Sequence, residues 1–443
     1  MTFWFILLVV LSTYLTVQFM SWLAYQRSQK NSTPAAKIHA DESLTQPNPV
    51  ATPTPSKVRP ITQSEEATLR NCFPWSVFYV HNIEYRPQAV ICRGQLRIES
   101  AAAYQKIREN IEAEFGDRFL VIFQEGLNGK HFFVLVPNPQ ASGASSRLTE
   151  SLTRPFVALI LVAFTLLTTS IIGLDLAGVN SKGLEAHPTL LLQGLPYALA
   201  LMTILGIHEL GHYLTAQFYK IRSTLPYFIP VPFFPGTFGA VVQMRSPILN
   251  RKILFDVSLA GPLAGFVITL PLLIWGLAHS TVVPLAAKPG IDMSAFNAFN
   301  PNYSLLLALL SKLALGSALT AKSAINFHPV ALAGFLGLIV TALKLMPVGQ
   351  LDGGHIVHAM FGLRSAAMIG QVARLLLLGL SLVQPGLFFW AVILFFLPNT
   401  DQPALNDVTE LDNKRDFGGL LALAVLTIII LPVPTFLIQI LQT

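Results

Sequence analysis

The chain has 443 residues, of which 53% are hydrophobic and only 12% charged, with a net charge of +6. That charged share is about half of the ~25% usual for globular proteins, and a soluble fold could not hide so much apolar surface. Composition therefore excludes a soluble enzyme and a disordered chain, and two cysteines exclude a disulfide scaffold. The net positive charge does not indicate nucleic acid, because the basic residues sit in loops beside apolar runs and not on one face.

Residues 3–24 are uncharged and long enough to cross ~30 Å of hydrocarbon. They lack a basic leader and a small-residue cleavage site, so an N-terminal anchor over 1–26 is expected and not a secretory signal. Arg27 and Lys30 follow directly, which places that end on the cytoplasmic side. Residues 27–69 are rich in Pro, Thr and Ser and read as an extended linker. Residues 70–150 are compositionally ordinary. SVFYVHNI, QAVICRGQLRI, RFLVIFQ and HFFVLVP carry strand-forming residues. ESAAAYQKIRENIEAEFG reads as a helix with Ile107, Ile111 and Phe115 on one face and Gly116 as its stop. The expectation is a small ββαββ insert acting as an adaptor, with no catalytic group of its own. Cys72 and Cys92 lie in it on the reducing side and are expected as buried free thiols, with a disulfide between them as the alternative.

From residue 155 the apolar segments crowd together. Residues 155–400 hold 12 Lys/Arg and 6 Asp/Glu, against 15 and 12 in residues 25–154. Spans are expected at 155–174, 189–218, 255–279, 328–348, 363–383, 386–397 and 417–441. With the first, that makes a polytopic α-helical membrane protein of about eight spans, or seven if 375–397 is one span kinked at Gln384-Pro385-Gly386. The loop 219–254 carries five basic residues and no acidic one. It falls on the cytoplasmic side if 25–154 do, as alternation requires. Pro226, Pro230, Pro232 and Pro235 make 219–235 non-helical, either a plain loop or a flexible gate.

The third span reads LMTILGIHELGHYLTAQF. His208 and His212, at i and i+4, share a helix face and can reach one zinc ion, and Glu209 is placed to take a proton from water. Three ionisable residues within five positions of a membrane span point to function. A hydrolytic zinc site needs a third protein ligand. Glu410 is the only later glutamate and lies in a polar loop. Asp256 and Asp352 stand at span edges, and the topology brings Asp352, in LKLMPVGQLDGGHIVH, to the depth of His212. Asp256 follows Arg251 and Lys252, where surface pairing is the simpler reading. His355 and His358 are rival ligands beside Asp352.

Taken together, HELGH in a span, GTFGA at 236–240, AGPLAG at 260–265 and MPVGQLDGG at 346–354 resemble the site-2 protease family of intramembrane zinc metalloproteases (peptidase M50). GQLR at 94–97 and PALNDVT at 403–409 resemble its plastid and cyanobacterial branch, named for an ethylene-dependent gravitropism-deficient and yellow-green phenotype. The likeness runs from about residue 70 to the C-terminus, so 151–443 would form the protease domain.

The resemblance implies one Zn²⁺ held by His208, His212 and Asp352, with Glu209 as general base. It implies a membrane-embedded hairpin around Gly236–Ala240 that pairs with an unwound substrate strand, and single-span membrane proteins as substrates. A cyanobacterial plasma or thylakoid membrane is the implied location, with the site near the cytoplasmic side. Lys344 stands where the family usually has an asparagine eight residues before the aspartate. It can donate to an oxyanion as a second catalytic residue, or point to the interface and contribute nothing. Gln95 replaces a usual asparagine without an assigned consequence. Gly261 and Gly265 fit close helix packing, and Arg374, inside an apolar stretch, either snorkels or lines a polar cavity. A protease-derived scaffold or chaperone is the competing reading. A transporter would need internal inverted repeats, which the sequence lacks. Nothing in the sequence sets an oligomeric state.

Overall fold

The computed structural model describes residues 60–126, 129–138, 154–178, 187–284, 304–316 and 323–434. The first expected span, 3–24, lies outside the described residues.

The insert begins with helix α1 (Gln63–Asn71), which the linker reading had absorbed. Its sequence signal is Thr62-x-x-Glu65, and the Glu65 carboxylate accepts the Thr62 N–H at 2.8 Å. Strands β1 (Phe78–Arg86) and β2 (Ala89–Leu96), helix α2 (Ser100–Phe115), and strands β3 (Phe119–Glu125) and β4 (His131–Pro137) follow. They give the expected ββαββ order, with an antiparallel sheet ordered β1-β2-β4-β3. Helix α2 lays Ala103, Ile107 and Ile111 on the sheet at a spacing of four. It stops at Gly116, whose φ of 57° few side chains tolerate. Phe78, Phe123 and Phe133 fill the centre of this core.

Helix α3 (Pro155–Leu176) starts the apolar region, and Pro188–Gly194, a 3₁₀ turn, leads into α4 (Leu195–Phe218). Strands β5 (Tyr227–Pro230) and β6 (Thr237–Val241) pair as an antiparallel hairpin. Helix α5 (Arg251–Ala278) begins at Asn250, whose side chain caps the Ile253 N–H. Strand β7 (Thr281–Pro284) pairs with β8 (Ser323–Asn326). Between them, α6 (Leu305–Leu315) is an apolar helix that the periodicity reading left unassigned. Ser304 caps it and LLLALLSKLAL fills it, so the signal was present but only 11 residues long. Helices α7 (Pro329–Leu345), α8 (Asp352–Val383), α9 (Phe388–Phe396) and α10 (Asn413–Ile430) complete the order.

Among the described residues, four helical segments are long and apolar enough to cross a membrane: Pro155–Leu176, Pro188–Phe218, Arg251–Ala278 and Asp352–Leu382. The expected count of eight is not what this criterion returns. The segment expected at 386–397 is a helix of nine residues, about 14 Å long at 1.5 Å per residue and too short to span alone. The expected span 363–383 continues backward to Asp352 through a kink at Gly362 (φ 83°, ψ 163°). The N-terminal turn of α10 carries Lys414, Arg415 and Asp416, so only its later part is apolar.

The core of this region packs α4, α5 and α7 together. Gly334 sits on the Leu273 backbone and Gly276 on Ala331, approaches that a side chain would block. The hairpin tip is fixed and not a loose loop. Tyr197 Oη donates to the Pro235 carbonyl at 2.9 Å and Thr168 Oγ1 to the Gly236 carbonyl at 2.8 Å. Gly236, at φ 93°, lies against the Thr169 backbone.

The insert and the helical region are joined by one strand of chain. Leu405 and Asp407 hydrogen-bond to both sides of Phe123 in β3, at 2.7 and 2.9 Å. The Leu405 and Asn406 N–H groups donate to the Ile248 and Leu249 carbonyls, both at 2.9 Å. The insert's edge strand is thereby covered and tied to the residues leading into α5.

Candidate metal centre

On α4, His208 and His212 point the same way one turn apart, their ring centroids 5.1 Å from each other. Both are buried, as is Glu209 between them. Asp352 arrives from the first turn of α8, its Oδ2 lying 3.5 Å from His208 Nε2 and 3.3 Å from His212 Nε2. One ligand atom from each of the three lies within 4.8 Å of the other two. Among the described residues, no other group of three His, Cys, Asp or Glu converges in this way.

His208 Nε2 and Asp352 Oδ2 are buried and have no hydrogen-bond partner. Orphaned polar atoms in a protein interior cost free energy unless something occupies the space between them. His212 donates Nδ1–H to the Val257 carbonyl at 2.8 Å, the tautomer that leaves the Nε2 lone pair free for a metal. Two imidazoles and one carboxylate are a donor set for zinc with a fourth position left open.

The α5 glycines do more than allow helices to approach. A Cβ on Gly261 would stand 2.1 Å from His212 Nε2, and one on Gly265 would stand 3.0 Å from His208 Nδ1. The small residues of AGPLAG therefore seat the two imidazoles themselves. The sequence reading saw only packing there; four-residue spacing of glycines opposite HExxH was the available signal.

Glu209 is held from two sides. Its Oε2 accepts the Val242 N–H at 3.0 Å, just past β6, and its Oε1 lies 3.4 Å from Lys344 Nζ. Lys344, near the end of α7, thus points into the site and not toward the interface. The hairpin and the metal-ligand helix are joined through this carboxylate.

The rival ligands are engaged elsewhere. Asp256 takes Arg415 in a bidentate pair, Nε at 2.8 Å and Nη2 at 2.7 Å. Its expected pairing with Arg251 and Lys252 is replaced, since Arg251 donates Nε–H to the Ala359 carbonyl at 2.8 Å. His355 and His358 both direct Nδ1 to Asp401 Oδ2, at 2.7 and 2.6 Å. Arg374 is buried and gives Nη2 to the Leu397 carbonyl at 2.8 Å. Cys72 and Cys92 are free and buried. Burial pushes the Cys72 thiol up to about 11 and the Cys92 thiol up to about 12.

Comparison with known proteins agrees with this geometry. Residues 196–382, which contain the whole constellation, match the family model described as Peptidase family M50. Residues 67–143 match the EGY3 middle domain. The chain is 32% identical over 369 residues to the probable zinc metalloprotease EGY2, chloroplastic, of Arabidopsis thaliana, covering 82% of this chain and 63% of that protein. It is 31% identical over 369 residues to the EGY2 protein of Oryza sativa subsp. indica, covering 82% of this chain and 65% of that one. With the Arabidopsis thaliana protein EGY1 it shares 36% over 241 residues, 54% of this chain and 43% of that one. The chain thus spans less than two thirds of the length of these relatives. The buried HExxH helix completed by an aspartate thus lies inside the segment that matches the Peptidase family M50 model, and the relatives to which the chain is similar are named as probable zinc metalloproteases.

Proposed function

We propose that the chain is a zinc metalloendopeptidase that hydrolyses peptide bonds within or beside the transmembrane helices of single-span membrane proteins. The observation that carries this reading is the convergence of His208, His212 and Asp352 beside Glu209, on helices apolar enough to cross a membrane. The names of the relatives, zinc metalloproteases, support it.

His208, His212 and Asp352 would hold the metal. Zinc supplies Lewis-acid chemistry when bound, acidifying water towards ~7 and polarising a carbonyl. Glu209 accepts the water proton and returns it to the leaving amide nitrogen. Lys344, already within 3.4 Å of that carboxylate, donates to the carbonyl oxygen as negative charge develops there. His208, Glu209 and His212 are buried on α4, so charges beside them are screened less than in bulk water. A substrate helix hides its peptide groups in i→i−4 hydrogen bonds and must unwind before attack. Strand β6 offers an edge on which the unwound segment can pair. Residues that destabilise a helix, Gly, Pro or Asn, then favour cleavage.

A multi-span chain with the site near the cytoplasmic side and divisions near residues 26 and 150 belongs to the same proposal, with the insert starting at the Gln63–Asn71 helix. The relatives named as chloroplastic support a chloroplast location and not the expected cyanobacterial membrane.

The deciding experiment is zinc analysis of the purified full chain together with cleavage of a reporter span by wild-type and Glu209→Gln protein. Zinc near one per chain and loss of ~10²–10⁴-fold in rate for the variant are expected. Undiminished cleavage by Glu209→Gln would sink the mechanism. A wild type without metal would favour the scaffold reading, for which the Lys344 substitution at the family's asparagine position is the motive.

A further inference from the structure

The Asp352 carboxylate sits on a short lever. Helix α8 breaks from regular geometry at Gly362, so the ligand belongs to a separate segment of ten residues, 352–361. That segment has no side-chain cap at its start. Something outside it must fix its direction, because a misplacement of about 1 Å at a catalytic site costs on the order of 10²-fold.

The chain from 397 to 407 supplies that fixture. It crosses directly over the turn before Asp352, where a Cβ on Gly349 would meet the Pro398 carbonyl oxygen at 1.9 Å. Asp401 then faces the short segment. Its Oδ2 accepts Nδ1–H from His355 and His358, one and two turns beyond Asp352, at 2.7 and 2.6 Å. The other nitrogen of His358 lies 2.8 Å from Asp407 Oδ1. His358 is fully buried and the Asp401 side chain is 3% exposed. Buried ionic groups of this kind are no better for stability than well-packed apolar residues of similar volume. What they add is a fixed direction: two acceptor–donor contacts at successive turns define the axis of the segment.

The strap is itself held by the insert. Leu405 and Asp407 are paired on either side of Phe123 in β3, and Leu405 and Asn406 on Ile248 and Leu249. A continuous run of hydrogen bonds therefore leads from the insert's sheet, through Asp401 and Asp407, to the helix segment that carries Asp352. Among the described residues, this run is the hydrogen-bonded path that leads from the insert toward the site.

We propose that Asp401, acting through His355 and His358, is the positioning residue for the Asp352 carboxylate, and that the insert's β3 strand holds Asp401 in register. The proposal rests on the reading of His208, His212 and Asp352 as a zinc site.

The test is Co²⁺ loading of the full chain in detergent, for wild type, Asp401→Ala and Asp401→Asn. The ligand-field bands report the arrangement of the three ligands, and a reporter span separates kcat from KM. For Asp401→Ala, shifted bands, Co²⁺ affinity lower by ~10–100-fold and a kcat lower by a similar factor at unchanged KM are expected. Asp401→Asn, which keeps the volume and an acceptor oxygen, should shift the bands in the same direction by less. Bands come only from folded, loaded protein, so partial misfolding does not mimic the effect. Should Asp401→Ala fail to fold altogether, Asp401→Asn decides. Wild-type bands, affinity and kcat in every variant that folds would overturn the proposal. A wild type that takes up no Co²⁺ would instead overturn the zinc reading, and the positioning role with it.

Discussion

Gly261 lies against the metal-facing edge of His212, where an added Cβ would come within 2.1 Å of Nε2, while the other ring nitrogen is bound to the Val257 carbonyl one turn earlier on the same helix. Helix α5 thus orients the imidazole from one side and leaves it room on the other. Gly261→Ala forces the ring out of that seat. Metal affinity should fall by at least ~10–100-fold, with Gly265→Ala milder because its Cβ would meet His208 at 3.0 Å. Gly379→Ala, where nothing lies within 4 Å, is the control. Zinc content after dialysis against a weak chelator checks all three; equal content in Gly261→Ala and wild type would contradict the assignment.

Lys344 and Glu209 should separate by their kinetics. Lys344→Ala removes a donor to the developing oxyanion and is expected to lower kcat by ~10²–10³-fold while zinc stays bound. Lys344→Asn restores the residue usual in the resembled family and should recover part of that loss. A Lys344→Ala protein with full kcat would reduce Lys344 to a neutral partner of the Glu209 carboxylate.

The Arg415–Asp256 pair fastens α10 to α5, with Tyr219 Oη also donating to Asp256. Its bidentate geometry puts it above the ~0–1 kcal/mol of ordinary surface pairs, so Arg415→Ala should cost about 1–2 kcal/mol. Thermal unfolding in detergent reads this as a lower midpoint, and metal content should not change. Loss of zinc in Arg415→Ala would show that Asp256 has a part in the metal site after all.

Cys72 and Cys92 carry thiols raised to about 11 and about 12 by burial. The reactive thiolate is populated only above those values, so at pH 8 both remain neutral thiols. Alkylation by iodoacetamide should label neither cysteine in the folded chain and both after denaturation. Prompt labelling of Cys92 in native protein would contradict the buried core of the insert.

Asp401 gives the acid limit. Burial alone would raise its carboxyl, but His355 and His358 outweigh that and hold it below the usual carboxylate range. A depressed folded value contributes stability that is fully present above the unfolded value of about 3.9 and is lost as pH falls through the lower folded one. Wild type should therefore lose stability below about pH 4 more steeply than Asp401→Asn, as followed by unfolding midpoints across pH 6 to 3. Parallel curves would remove Asp401 from the acid response.

Local pattern settled much of this protein. A spacing of four on a helix puts His208 and His212 on one face wherever that helix lies, because 3.6 residues make a turn. Alternation and β-branched content gave the insert its ββαββ order, and scarce charge gave the chain its apolar helices. These are short-range properties, and a sequence carries them in full. For the third partner the sequence favoured Asp352, with Asp256, His355 and His358 left as rivals. Tertiary structure distributed them: Asp256 to Arg415, the two histidines to Asp401, and Asp352 to the site. The reach of Lys344 to Glu209, the seating of the imidazoles on Gly261 and Gly265, and the pairing of Phe123 with Asp407 join residues far apart in the chain. Such contacts have no local signature, because the free energy that selects them arises only when buried polar atoms compete for a limited set of partners in the packed core.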